Sequence, residues 1–86
     1  MGTYIHVSGL SYFCTDEKLR QTFVPFGTVV FAQVLRDEYN HSLGLGVVHM
    51  ASSEDVERVF NAPHLFEISG SRIDLWEPAA PSESHD

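Results

Sequence analysis

The chain has 86 residues, of which 43% are apolar, and its formal net charge is −7. This length and composition indicate one small globular domain, and the absence of any run of about 18 apolar residues excludes a membrane span within it. The acidic balance disfavours a protein that grips phosphates through a broad basic surface, because nucleic-acid affinity draws heavily on Lys and Arg.

The first half of the chain predicts a strand, a helix and a second strand. Residues 4–7 form a short β-rich run that a Ser- and Gly-containing segment ends. Thr15 is a good helix cap, and Leu19 and Phe23 follow at i and i+4 spacing on one apolar stripe. Residues 29–35 are strongly β-forming and predict the second strand.

The middle of the chain predicts a hairpin and a second helix. Residues 37–42 are a polar loop, and residues 44–50 form the next strand. Ser52 starts a segment that resembles a capping box. The apolar residues of the second helix recur at helical spacing: Val56, Val59 and Phe60.

The last part of the chain predicts two β runs and a tail. Residues 65–68 and 71–76 are separated by a Ser-Gly turn. Residues 78–86 are rich in Pro, Ala, Ser and acidic residues and predict a flexible acidic tail. We therefore expect one domain over residues 1–77, and the short ends indicate a free-standing module.

The element order β-α-β-β-α-β predicts an α+β, ferredoxin-like fold. Right-handed crossovers then give a four-stranded antiparallel sheet of order 4-1-3-2, with two helices on one face and the other face open. Strand alternation predicts the following core-facing residues: Ile5, Val7, Val34, Val48, Met50, Ile73 and Leu75. We expect these residues to pack against apolar side chains of the helical layer: Leu19, Phe23, Phe26, Val56, Val59 and Phe60.

The same alternation assigns side chains to the open face, but it leaves the side of Phe31 undecided. The residues expected to point outward are Tyr4, His6, Ser8, Gln33, Leu35, Leu43, Leu45, Val47, His49, Arg72, Asp74 and Trp76.

Two short segments, Ile5-His6-Val7-Ser8-Gly9-Leu10 and Leu43-Gly44-Leu45-Gly46-Val47-Val48-His49-Met50, resemble the hexamer and the octamer of the RNA recognition motif family. Residues 5–10 resemble its hexamer on the first strand. Residues 43–50 keep the glycine spacing of its octamer, whose pattern is basic, Gly, aromatic, Gly or Ala, Phe, Val, any residue, aromatic. Residues 16–23 resemble the family's first helix, and residues 70–75 resemble its final hairpin. The resemblance covers most of the chain, although both motifs are degenerate.

The resemblance implies that RNA bases stack on the open sheet, at positions corresponding to His6, Leu45 and Val47. Only His6 keeps a ring, and Leu43 stands where the octamer has a cation. Base stacking on an aromatic side chain is worth about 1–3 kcal/mol per base. The two lost platforms predict weak binding of short single-stranded RNA with low sequence selectivity.

Three interpretations of the open face remain. In the first, the face binds RNA, with Arg36 and Arg72 near the phosphates. The candidate RNA-binding residues are Tyr4, His6, Leu45, Val47, Arg72, Trp76 and Arg36. In the second, a protein, a peptide or a second copy covers an apolar patch. The residues of that patch are Leu35, Leu43, Leu45, Val47 and Trp76. In the third, residues 78–81 cover Trp76 and the surface does little alone.

The sequence favours a binding module over an enzyme, because it brings no nucleophile, base and orienting group together. No cofactor or metal is expected, and the single cysteine together with the lack of a signal pattern indicates an intracellular compartment, cytoplasmic or nuclear.

Cys14 precedes a helix, which can activate a thiol, but an ordinary loop cysteine is the favoured interpretation. His6 and His49 predict stronger RNA contact below about pH 6.5.

Overall fold

The structure is a computed structural model that describes residues 2–62, 67–68 and 70–77. Its elements follow one another in this order: β1 (Tyr4–Ser8), α1 (Asp16–Phe23), β2 (Val29–Arg36), β3 (Ser42–Met50), α2 (Ser53–Phe60), β4 (Glu67–Ile68), β5 (Ser71–Arg72) and β6 (Asp74–Trp76). A single 3-10 turn, Val24–Phe26, follows α1.

Four strands form one antiparallel sheet in the order β2-β3-β1-β6. This is the predicted order read from the opposite edge, so the predicted fold class is confirmed. The third strand lies between the first and second, as right-handed crossovers require. The two central strands, β1 and β3, are therefore shielded from edge pairing.

The predicted strand over residues 71–76 is divided in two. Ser71–Arg72 pairs with Glu67–Ile68 in a separate two-stranded sheet, whereas Asp74–Trp76 joins β1. The side chain of Ile73, between them, is buried in the core, and the chain changes its pairing partner there. Part of the predicted strand over residues 65–68, and the predicted tail over residues 78–86, lie outside the described residues.

Side-chain caps start both helices where the sequence predicts them. The Thr15 hydroxyl accepts the Lys18 N–H at 3.1 Å, and the Ser52 hydroxyl accepts the Asp55 N–H at 3.3 Å. Each cap satisfies one of the backbone donors that a helix start leaves unpaired. In the part of the chain that the structure describes, neither helix is long and apolar enough to cross a membrane.

The core lies between the helices and the covered face of the sheet, with Leu75 and Phe26 packed at its border. Its buried residues are Ile5, Val7, Leu10, Cys14, Leu19, Phe23, Val34, Val48, Met50, Val56, Val59, Ile68 and Ile73. The prediction that Phe60 joins the core is wrong, since its ring is 40% exposed. Phe60 is the last residue of α2, about 100° around the helix from the buried Val59.

The two octamer glycines have separate backbone roles. A Cβ on Gly46 would lie 2.9 Å from Leu19 Cδ2 and 3.2 Å from the Gln33 carbonyl oxygen, so α1 packs directly on β3 there. Gly44 has φ of 75°, in the region that favours glycine, and its carbonyl accepts the Leu10 N–H at 3.1 Å. The fold needs these glycines whether or not the neighbouring rings are kept.

Candidate nucleic-acid interface

The face of the sheet opposite the helices carries its side chains in cross-strand rows. In the first row, His49 of β3 lies between Tyr4 of β1 and Phe31 of β2. The second row crosses all four strands. Its members are Trp76, His6, Val47 and Gln33. A third row brings together Asp74, Ser8 and Leu45.

The first row is a cluster of three rings. Tyr4 and His49 stack with their centroids 4.3 Å apart and their planes 3° from parallel. The Phe31 ring meets His49 edge-on at 5.5 Å and Tyr4 at 6.2 Å. The Thr3 hydroxyl lies 3.1 Å from His49 Nε2 and holds that imidazole in place. The cluster is therefore an ordered aromatic surface, part of which faces solvent.

A β-bulge decides the side of Phe31. The pairing of β2 with β3 shifts between Val29 and Phe31, so Val29 stays against the core while Phe31 reaches the open face. Strict alternation along β2 does not reveal such a shift, because the extra residue changes the phase of the strand. The sequence therefore predicts the outward positions of Tyr4 and His49 but does not reveal the three-ring cluster.

The second row carries a further pair of rings. His6 meets Trp76 edge-on with centroids 5.6 Å apart, and the indole is 42% exposed. Val47 lies on the other side of His6 and is half-buried. Gln33 follows beside it with an exposed side chain, which adds an amide to this row.

The positions at which the family stacks bases are only partly aromatic here, as the sequence predicts. His6 keeps its ring, Val47 is apolar and half-buried, and Leu45 is exposed in the third row. Two other rings of the sheet, Tyr4 and His49, lie in the row next to His6 and Val47, which stand at family stacking positions. Tyr4 precedes the hexamer, and His49 occupies the unrestricted seventh position of the octamer.

The predicted phosphate contacts lie beside the rows. Arg36 ends β2, and its guanidinium donates to the Asn40 carbonyl at 3.5 Å. The structure corrects the predicted placement of Arg72, which lies in the β4–β5 hairpin opposite Glu67 and outside the four-stranded sheet. Neither cation stands among the rings.

The residues of the alternative apolar patch are only partly brought together. Trp76 and Val47 share the second row, and Leu45 lies in the third. Leu35 is half-buried at the second irregularity of β2, and Leu43 is exposed near the start of β3. The His6 imidazole therefore interrupts the patch between Trp76 and Val47.

Among the described residues, two titratable groups in loops have shifted pKa values, Cys14 before α1 and Asp37 after β2. Burial raises the pKa of the Cys14 thiol, against a smaller opposing effect of Lys18. This direction contradicts an activated thiol. The backbone N–H of His41, assisted by that of Tyr39, lowers the pKa of Asp37 because both N–H groups donate to its carboxylate. Asp37 thereby orders the five-residue loop between β2 and β3.

The RNA recognition motif family model matches residues 5–74 of the chain. The chain belongs to the RNA recognition motif family. Its motifs are degenerate, in that the octamer lacks its cation and its rings.

Relatives and solved structures agree with that assignment. The chain is 33% identical over 72 residues, 84% of its length, to the cytoplasmic and nuclear polyadenylate-binding protein of Eremothecium gossypii. It is 38% identical over 60 residues, 70% of its length, to polyadenylate-binding protein 4 of Arabidopsis thaliana. It covers only 12% and 9% of those two proteins. A crystal structure of RNA binding protein PG1 matches with a TM-score of 0.81 and 28% identity, over 91% of this chain and 95% of that one.

Proposed function

We propose that this RNA recognition motif binds short single-stranded RNA on its open sheet, with bases on two ring groups. The first group is Tyr4, Phe31 and His49, and the second is His6 with Trp76. The observation that carries the proposal is the presence of five rings on one solvent-facing surface in adjacent rows. Exposed rings are sequence-tolerant platforms, because every base has a π-face. The proposed role is binding without catalysis.

The charges predict that this binding is weak and responds little to salt. The net charge of −7 opposes an anionic ligand. Arg36 and Arg72 are the two candidate phosphate contacts, so about two phosphate contacts are expected. For single strands the slope of log affinity against log salt is roughly −0.7 per contact, or about −1.4 in total. Because two of its relatives are polyadenylate-binding proteins, oligo(A) is the first probe to use.

A titration of the protein with eight-nucleotide oligo(A) and oligo(U), followed by Trp76 fluorescence, tests the proposal. We expect a saturable change that weakens as salt rises, since Trp76 lies within the second row. A Tyr4→Ala/Phe31→Ala variant should lose affinity, whereas Phe60→Ala, which removes an exposed ring from the helical side, should retain it. Equal affinities of all three proteins would contradict base stacking on the sheet.

An apolar protein-binding face is the second candidate, favoured by the exposure of Leu43, Leu45 and Trp76. The partner is then a peptide, a protein or a second copy of the chain, at the alternative patch defined above. Sedimentation at rising protein concentration, without RNA, separates the two candidates. Concentration-dependent dimerisation that Leu45→Ser abolishes, together with no response to RNA, would favour it. An intracellular location is proposed with either candidate.

A further inference from the structure

The third row of the open face ends in a carboxylate. Asp74 of β6 lies opposite Ser8 of β1, and Leu45 of β3 lies on the other side of Ser8. Asp74 is exposed, whereas the next residue, Leu75, packs against the core, so the carboxylate lies on the open face. Among the side chains of the three rows, Asp74 alone carries a full negative charge.

No cation neutralises this carboxylate within the described residues. The ion pairs found there involve the acidic side chains of Glu17, Asp37 and Asp55, and none of them involves Asp74. An ionised carboxylate only accepts hydrogen bonds, at two oxygens. It therefore repels the phosphates of a nucleic acid but attracts N–H donors, which a strand carries on its bases. A carboxylate on a binding face thus favours contact with a base edge over contact with the backbone.

The Asp74 carboxylate lies next to the rings of the second row. Trp76 follows Asp74 by two residues on the same face of β6, and His6 precedes Ser8 by two residues on β1. Both pairs are in direct register, so the second and third rows are neighbours. Two residues of a strand span roughly 7 Å. A base stacked on the indole or the imidazole therefore has one edge within reach of the third row.

The four bases offer different groups to a hydroxyl donor beside a carboxylate acceptor. Guanine has two adjacent N–H donors, at N1 and N2, for the two carboxylate oxygens, and its O6 can accept from the Ser8 hydroxyl. Adenine and cytosine have one amino group next to a ring-nitrogen acceptor. Uracil has one N–H between two carbonyl oxygens, which a carboxylate repels. Guanine thus fits Asp74 and Ser8 best, and uracil fits them least.

We propose that Asp74, with Ser8 beside it, determines base specificity at the position next to the second row, where it selects guanine and disfavours uracil. This inference rests on the proposed function of the sheet. The same charge weakens binding of every strand, because it repels phosphates. The selection is therefore a difference between bases and not a gain in overall affinity. The other positions of the sheet stack bases without selecting them.

Fluorescence anisotropy with labelled five-nucleotide strands tests the selection. The strands contain U at every position except the centre, which is G, inosine or U. The unaltered protein should bind the G strand about tenfold more tightly than the all-U strand, the low end for a bidentate contact because the site is exposed. Inosine is a purine that lacks only the N2 amino group, so the G strand should also bind about fivefold more tightly than the inosine strand.

Two variants separate recognition by Asp74 from stacking and from general charge repulsion. Asp74→Ala should bind the G and inosine strands within about twofold of each other, because neither purine then meets a carboxylate. Its affinity for the all-U strand should be equal or higher. Glu57→Ala is the matched control, since it removes an exposed carboxylate from α2 and should keep the preference for G. Thermal melts verify that each variant folds.

The outcomes distinguish this inference from the proposed function. Equal affinities of the unaltered protein for the G and inosine strands overturn the selection and leave the sheet site standing. A preference for G that survives in Asp74→Ala overturns it as well, and so does the same gain of affinity for every strand, which would reduce Asp74 to a source of repulsion. No binding of any strand by the unaltered protein overturns both proposals.

Discussion

The two faces of the four-stranded sheet follow different rules. On the covered face, a larger side chain at Gly46 would overlap Leu19, and Ile5 is fully buried. On the open face, ring residues stand one row away from the family's stacking positions, at Tyr4 and His49. Close packing restricts a buried position to a narrow range of volumes, whereas a solvent-facing ring is packed on one side only. Binding chemistry can therefore move along the open face without changing the fold.

A substitution at the covered face gives the largest expected effect. Gly46→Val should lower the free energy of unfolding by about 3 kcal/mol, because its side chain would overlap Leu19 and the Gln33 carbonyl. Chemical denaturation measures the change. Ser8→Val, on the open face of a neighbouring strand, should shift stability by no more than about 0.5 kcal/mol. Similar losses for the two variants would remove the contrast between the faces.

A paired substitution on the open face tests the shifted rings. Phe31→Ala should weaken RNA binding by about 1–2 kcal/mol, since it removes one stacking platform. Leu45→Ala, at the position where the family stacks a base, should cost less because Leu45 has no ring. Anisotropy with the same oligo(A) measures both variants. A larger loss of affinity for Leu45→Ala than for Phe31→Ala would indicate that RNA uses the family's stacking positions instead of the three-ring cluster.

The hydrogen bond between Asp16 of α1 and Val34 of β2 provides a second test of the covered face. Asp16→Ala should destabilise the fold by about 1 kcal/mol, because the Val34 N–H loses its acceptor at 2.7 Å. Asp16→Asn keeps an acceptor oxygen and should recover much of that loss. Thermal melts of the two variants provide the measurement, and identical melting temperatures would show that the bond contributes nothing.

The lowered pKa of Asp37 predicts that the order of the loop between β2 and β3 depends on pH in the acid range. Its lowered pKa means that the carboxylate orders the loop above the ordinary value of 3.8 and releases it as pH falls through the folded value. The amide resonances of Tyr39 and His41 should report this release in an NMR titration. Amide shifts that do not move in acid would contradict the carboxylate as the acceptor.

The sequence by itself determined the order of the elements, the helix caps at Thr15 and Ser52, and most of the core. These features follow from local periodicity and from capping chemistry, which depend on neighbouring residues. The outward positions of Tyr4 and His49 follow from the same alternation. The division of residues 71–76 between two sheets does not, because pairing partners far along the chain decide it.

Only the tertiary structure decided how the rings meet. The β-bulge before Phe31 changes the phase of one strand, and this brings a third ring to Tyr4 and His49. Tyr12 and His41 likewise come into contact from two loops whose distance in space the sequence does not specify. Local patterns fix the direction of a side chain within a regular strand. Irregular pairing and loop packing are long-range properties, so they become visible only in the folded chain.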